Sequence, residues 1–347
     1  MRNAPNPVVS VVIPNWNQRS LLDACLHSLS QQEFQDFETI MVDNGSSDGS
    51  VDHVASNFPS VQILALDSNL GFATASNRGI RMARGKYIAL LNNDTEVDRL
   101  WLQELVGALD SNLEVGFCAS KILLLQDPSI ADACGDFYTV EGVAGKIGNL
   151  EPEDRYKEPR LVFGASAGAA IYRRSMLEDI GLFDEEFFMV HEDSDLSFRA
   201  QLMGFKCLYV PTAMVYHHLG ATLGRDSDTA AYYAQRNMEF VYLKNMPFVI
   251  LRKYWPSHLL ANVMLFAAYG LRGRARPFVR AKTHALARMP AMLAKRGEIQ
   301  KSRRVSDKEI ENLLMKGWLG NKVRTKVRQA LRRNGLPHET PARPTQT

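Results

Sequence analysis

The triplet Asn92-Asn93-Asp94 follows an apolar run at residues 86–91 and precedes residues 95–98, which are predicted to lead into a helix. The run fits a buried strand. A lone carboxylate beside two amides at a strand's carboxyl end suits a hard divalent cation. Mg2+ or Mn2+ takes only one or two protein carboxylates there and completes its shell with phosphate and water. The same three residues also fit a polar turn, which Asn and Asp favour through local hydrogen bonds. A second cluster, His191-Glu192-Asp193-Ser194-Asp195, offers acids that could take a proton from an attacking hydroxyl. Residue type alone leaves Glu192 and Asp193 equivalent as that base. Asp195 and Arg199, four apart, fit an ion pair of minor energetic value. His217 and His218 close a predicted strand that begins near Cys207, and neutral imidazole is a common metal ligand.

The elements that position these groups follow from hydrophobic periodicity. Residues 8–13, 39–42, 61–66, 86–91 and 115–119 are β-rich, with amphipathic stretches at 21–29, 51–58 and 73–83 between the first four. This βαβ alternation predicts an α/β fold with a mostly parallel, doubly wound sheet. Ligands of such sheets bind beyond the carboxyl ends of the strands. Four polar sets gather there: Pro14-Asn15-Trp16-Asn17, Asp43-Asn44-Gly45-Ser46-Ser47-Asp48, Ser68-Asn69-Leu70-Gly71, and Asn92-Asn93-Asp94. Gly45 suits a positive φ, and Ser47 or Asp48 suits a cap on the next helix. Asp43 stands at the strand end itself, where a carboxylate can accept the ring N–H of uracil or thymine. A GxGxxG after the first strand and a GxxxxGK[ST] are both absent from the sequence, so phosphate binding here would depend on a metal.

With these motifs in their order, the chain resembles the family 2 inverting glycosyltransferases of GT-A fold, more narrowly the bacterial rhamnosyltransferase-like branch. The resemblance covers residues 8 to 245 and includes the four strand-end sets, Gly168-Ala169-Ala170-Ile171, Gly181-Leu182-Phe183-Asp184, the acids around Asp193, Tyr216-His217-His218, and Arg236-Asn237. It implies a dTDP- or UDP-sugar donor lined by Pro14, Asn15, Asn17, Asp43, Asn44, Asn69 and Gly71, with Asn92, Asn93 and Asp94 at ribose, diphosphate and Mg2+ or Mn2+. It implies Asp193 as base with Glu192 orienting the acceptor, Gly168 on the acceptor side, and His217 completing the metal site with Asp94. Register leaves His218 as the alternative to His217. Arg236 could hold an acceptor diphosphate or make a structural ion pair. Many relatives carry DxD where this chain has Asn92, which implies weaker metal affinity.

Charge is divided sharply. Residues 1–249 hold 19 Lys+Arg against 33 Asp+Glu, whereas residues 250–347 hold 22 against 5. A basic half of this kind suits a polyanionic surface, anionic lipid or nucleic acid. Residues 258–269 form an apolar run short of the roughly 20 residues a membrane span needs, flanked by Arg272, Arg274 and Arg276. They fit an interfacial helix on a membrane, with packing against the catalytic domain as the alternative. Val323, Val327 and Leu331 beside Arg324, Arg328 and Arg332 predict a basic amphipathic helix, and residues 337–347 a disordered tail.

The expected organisation is therefore a catalytic domain at 1–249, its donor half near 8–120 and acceptor half near 121–249, then a basic helical region at 250–336. Residues 140–161, rich in Gly, Pro and charge, are expected to form a mobile loop over the acceptor side. Cys25, Cys118, Cys134 and Cys207 show neither CxxC nor zinc spacing, and the N-terminus lacks a signal-peptide pattern, which suits a cytoplasmic protein peripheral to the inner membrane face. The expected acceptor is a saccharide, polyprenyl-linked, and no nucleic-acid partner is expected. Other readings are a sugar nucleotidyltransferase and a non-enzymatic polyanion-binding module.

Overall fold

The computed structural model describes residues 6–218 and 227–317. The first predicted runs become β1 (Val9–Asn15), α1 (Arg19–Ser30), β2 (Phe37–Asp43), α2 (Ser50–Asn57), β3 (Gln62–Ala65), α3 (Phe72–Met82) and β4 (Tyr87–Leu91). Strands β3, β2, β1 and β4 lie side by side and parallel, so their carboxyl ends share one rim. Successive strand residues face opposite sides of a sheet. Val11, Ile13, Ala89 and Leu91 accordingly join Leu22, Cys25 and Trp101 on one face, while Val12, Ile88 and Leu90 join Ile80, Met176 and Leu196 on the other.

The chain continues through β5 (Thr95–Val97), α4 (Trp101–Ser111), β6 (Val115–Leu124), β7 (Asp127–Ala133), β8 (Asp136–Tyr138), β9 (Ala144–Lys146), β10 (Glu151–Pro152), β11 (Arg160–Val162) and β12 (Ala169–Arg173). Then come α5 (Arg174–Ile180), α6 (Glu192–Leu202) and β13 (Lys206–His217). Beyond β4 the sheet is extended by β12, antiparallel to both β4 and β6, while β13 runs parallel to β6.

Two local expectations change. Residues 95–97 do not lead straight into a helix: β-branched Thr95 and Val97 form β5, antiparallel to the end of β13 with His217 opposite Thr95. That register brings His217 beside Asp94. Residues 140–161 are held along the sheet edge rather than left as a free loop. Cys134 N donates to Ile147 O (2.8 Å), Leu150 N to Ala131 O (2.9 Å), Tyr209 Oη to Tyr156 O (2.9 Å), and Lys121 pairs with Glu153.

Helices α7 (Asp228–Asn245), α8 (Phe248–Gly270), α9 (Ala275–Ser302) and α10 (Asp307–Leu313) follow. Phe187, Phe198, Phe240, Met292 and Ile310 form a third apolar cluster that joins α6 and α7 to α9 and α10. Beneath it lies a charged network. Asp195, fully buried, accepts from Arg199 Nε (2.9 Å), Lys244 Nζ (2.9 Å) and Asn245 Nδ2 (2.8 Å), and Lys244 also reaches Asp184 at 2.7 Å. The expected minor surface pair is thus part of a buried junction, because α7 brings Lys244 against α6.

The predicted apolar run lies within α8, anchored by buried Ile250 and Ala261, while Trp255, Leu259, Val263 and Phe266 stay exposed along one stripe. Among the described residues, no helix is long and apolar enough to cross a membrane. The predicted helix through Val323, Val327 and Leu331 and the predicted tail at 337–347 lie outside the described residues.

Candidate active site

The common rim of the parallel strands opens into a cavity of about 660 Å3. Side-chain amides knit its floor. Asn93 Nδ2 donates to Asn15 Oδ1 at 2.7 Å, and Asn15 Nδ2 to Asp43 Oδ1 at 3.0 Å. Asp43 Oδ2 accepts Ser46 N–H at 2.8 Å, closing the turn in which Gly45 holds φ +75°. Next to it, Asn44 Nδ2 donates to Asn69 Oδ1 (2.9 Å) and Gly71 O (3.2 Å), while its Oδ1 accepts Leu70 N–H (2.8 Å). Gly71 is required by both conformation and space: its φ is +86°, and a Cβ there would lie 2.5 Å from Phe188. The helix after β2 begins at Gly49, and Asp48 serves two helix starts by accepting from Arg19 N (2.8 Å) and Ser50 N (3.1 Å).

Pro14, Asn15, Asn44, Asn69, Gly71, Asn92, Asn93 and Asp94 line this cavity, as do Gly168, Glu192 and Asp193. Asn17, Asp43, His217 and Arg236 are not among its lining residues. Asn17 is exposed, its Oδ1 accepting Ser47 N–H at 2.8 Å, whereas Asp43 lies buried just behind Asn15. Trp16, Phe72, Phe188 and Tyr233 add an aromatic lining that polar motifs alone do not reveal.

At the β4 end, Asn92 N donates to Gly168 O at 2.8 Å, joining the donor rim to the start of β12. Asp94 is almost fully buried, with its Oδ2 3.5 Å from His217 Nε2. His217 Nδ1 in turn lies 3.0 Å from Asp132 Oδ2, which also receives Lys146 Nζ at 2.7 Å. His218 turns elsewhere, its Nε2 3.0 Å from Glu96. Burial opposes charge on His217, yet its bonds to Asp132 and Asp94 outweigh it and push the imidazole up to about 9. A carboxylate behind one ring nitrogen is the usual way to orient an imidazole whose other nitrogen meets a metal. Asp132 had no signal in the sequence, because β7 is brought to β13 only by the fold.

Among the described residues no group of three or more His, Cys, Asp or Glu side chains could hold a metal by itself. Asp94 with His217 supplies one carboxylate oxygen and one imidazole nitrogen. That set fits a divalent ion only where phosphate and water complete the shell.

On the other wall, α6 presents Glu192 and Asp193 at its first turn. Asp193 Oδ1 accepts its neighbour Ser194 N–H at 2.7 Å, and Oδ2 accepts Ala167 N–H at 3.4 Å. Burial, reinforced by the charge of Asp193, holds the Glu192 carboxyl well above the usual carboxylate range. Burial and Asp193 likewise push Asp136 up to about 8. Both neighbours therefore favour the protonated form.

Arg236 is engaged by the turn that precedes α6. Its Nη2 donates to the carbonyls of Glu186 (2.8 Å) and Phe187 (3.0 Å), and its guanidinium lies over Tyr233 and Phe240. Aromatic neighbours and backbone acceptors hold it outside the lining of the cavity.

Comparison with known proteins agrees with this construction. The family model described as Glycosyl transferase family 2 matches residues 10–181. The N-acetylglucosaminyl-diphospho-decaprenol L-rhamnosyltransferase of Mycobacterium tuberculosis is 30% identical over 251 residues, covering 65% of this chain and 81% of that protein. The uncharacterized protein y4gI of Sinorhizobium fredii is 28% identical over 269 residues, covering 74% of this chain, which spans only 28% of that protein's length. Among solved structures, the mannosyltransferase PcManGT of Pyrobaculum calidifontis, in complex with GDP-Man and Mn2+, superposes with a TM-score of 0.51 at 16% identity, covering 94% of this chain and 81% of that one. The fold is GT-A. The nucleotidyltransferase and non-enzymatic readings give way to a glycosyltransferase, and the chain belongs to glycosyl transferase family 2.

Proposed function

We propose that this enzyme transfers a sugar, with inversion, from a dTDP- or UDP-sugar to a hydroxyl of a lipid-linked saccharide. The observation that carries the reading is that Asp94, backed by His217, and Asp193, beside Glu192, open onto one cavity whose wall also carries amides and aromatic rings. The M. tuberculosis relative's name makes rhamnose the first sugar to test and a polyprenyl diphosphate saccharide the first acceptor.

In this reading Asp43, through Asn15, supports the base pocket, and Asn92 and Asn93 meet ribose and diphosphate. Asp94 and His217 would hold Mg2+ or Mn2+, which supplies neutralisation of the charge developing on the nucleoside diphosphate. Asp193 takes the acceptor proton as the hydroxyl oxygen bonds the anomeric carbon. The anomeric C–O bond breaks on the opposite face, its electron pair leaving with the diphosphate. Protonated Glu192 orients the acceptor through a hydrogen bond.

The exposed stripe Trp255, Leu259, Val263 and Phe266, with Arg252 and Arg272 at its ends, suits the anionic cytoplasmic face of a membrane. Trp255→Ser with Leu259→Ser should weaken binding to phosphatidylglycerol vesicles. Equal binding by the double variant argues against this surface.

The donor reading is tested by thermal unfolding with dTDP-rhamnose, UDP-glucose and UDP-galactose, each with and without Mn2+. A ligand at 100 times its Kd adds about 2.7 kcal/mol of apparent stability. Stabilisation by one of them only with Mn2+ is expected. Absence of any response, or a response indifferent to Mn2+, counts against it.

A further inference from the structure

The segment that leads into α6 holds three non-glycine residues at positive φ: Phe188 (65°), Val190 (65°) and His191 (69°). L-residues resist this region, a β-branched valine most of all, and such a turn persists only where its surroundings over-determine it. The surroundings here come from α7. Asn237, fully buried, directs its side-chain Nδ2 at the carbonyls of Phe187 (3.0 Å), Met189 (2.8 Å) and Val190 (2.6 Å). Arg236 Nη2 holds the carbonyls of Glu186 and Phe187 just before them.

This turn has two sides that matter. Phe188, Met189 and Val190 line the cavity, and Phe188 O accepts Ala73 N–H (3.2 Å) at the first turn of α3, immediately after Gly71. His191 is the N-cap of α6, two residues before Asp193. The conformation of the turn therefore sets both the donor wall and the point from which α6 departs.

We infer that Asn237 is a positioning residue: by binding the three carbonyls of the 187–190 turn, it fixes the start of α6 and so the aim of the Asp193 carboxylate. A side chain that only filled space could not do this, since the three acceptors need a buried donor. The inference rests on Asp193 being the base. Asp193→Asn, measured in parallel, separates the two ideas, because retained turnover there removes the base while leaving the turn's anchoring to be judged on its own.

The test uses the full chain, with amide hydrogen exchange and steady-state transfer from dTDP-rhamnose or UDP-glucose, whichever turns over. In Asn237→Ala, amides of residues 188–194 should exchange at least about tenfold faster. Its kcat should fall at least about tenfold, a larger factor than any rise in the donor KM. Val190→Gly added to Asn237→Ala removes the resistance to positive φ, and should restore at least about a third of the kcat of Val190→Gly alone. Unchanged exchange, kcat within about threefold of wild type, or no recovery with Val190→Gly overturns the inference. Should Asn237→Ala fail to fold, Asn237→Ser, which keeps one donor, is read against the same limits. If neither folds, Asn237 serves general stability and the inference fails.

Discussion

Lys244→Met tests whether the buried charges beneath α6 hold that helix in place. Lys244 is 3% exposed and lies 2.7 Å from Asp184 and 2.9 Å from Asp195, which is itself fully buried. Methionine keeps the length of the side chain and removes the charge. Breaking a buried pair by deleting one partner costs about 3–5 kcal/mol, because the other charge stays behind uncompensated. Two observations place this case at the lower end: Asp195 keeps Arg199 and Asn245, and Asp184 keeps Lys295 at 2.7 Å. A loss of about 3 kcal/mol corresponds to a melting temperature lower by about 4 °C in a chain of 347 residues. Lys301→Met is the control, since Lys301 is 74% exposed in its pair with Glu298, and its melting temperature should stay within about 1 °C of wild type. Differential scanning calorimetry of both variants, with Lys244→Met/Asp195→Asn to expose the coupling, supplies the comparison. A melting temperature for Lys244→Met within about 2 °C of wild type would refute the reasoning, as would a double variant whose losses simply add.

Two further outcomes follow from the same coordinates. Gly71→Ala places a methyl 2.5 Å from Phe188 at a φ of +86°, so nucleotide affinity measured by calorimetry should fall at least about tenfold; unchanged affinity removes Gly71 from the donor wall. Burial alone would raise the Glu239 carboxyl, but His258 at 3.0 Å and Lys282 at 2.6 Å hold it down to about 2 from 4.5. Because that value is depressed in the folded state, its stabilisation is present above pH 4.5 and is lost as pH falls through 2. Urea unfolding should show Glu239→Gln losing up to about 3 kcal/mol at neutral pH with a flatter slope across that acid window, and an unchanged slope contradicts it.

The parallel half of the sheet was legible because its signals are local. Each apolar run ends in Asn, Asp, Ser or Gly, and parallel alternation places those ends together without knowledge of any distant contact. Residues 95–97 do lead towards α4, but the short strand they form on the way leaves no periodic signal, since three residues are too few to show one. Long-range partners left no trace: Asp195 and Lys244 are separated by 49 positions, and Asp132 reaches His217 across 85. Arg236 was recognisable as a motif residue but not as a carbonyl clamp. Neither Phe188 nor Val190 announces a positive φ, because both residue types disfavour it, and Asn237 gains meaning only from the backbone it grips.

The reading of Asp193 as the base that activates the acceptor is tested most directly by Asp193→Asn, with donor affinity and single-turnover transfer measured on the same preparation. Asparagine keeps the shape and the bonds to the start of α6 but cannot take a proton. Donor affinity should remain within about threefold while the transfer rate drops by about 10^2 to 10^4, the usual worth of a general base. Transfer within about threefold of wild type, with donor affinity intact, contradicts the account.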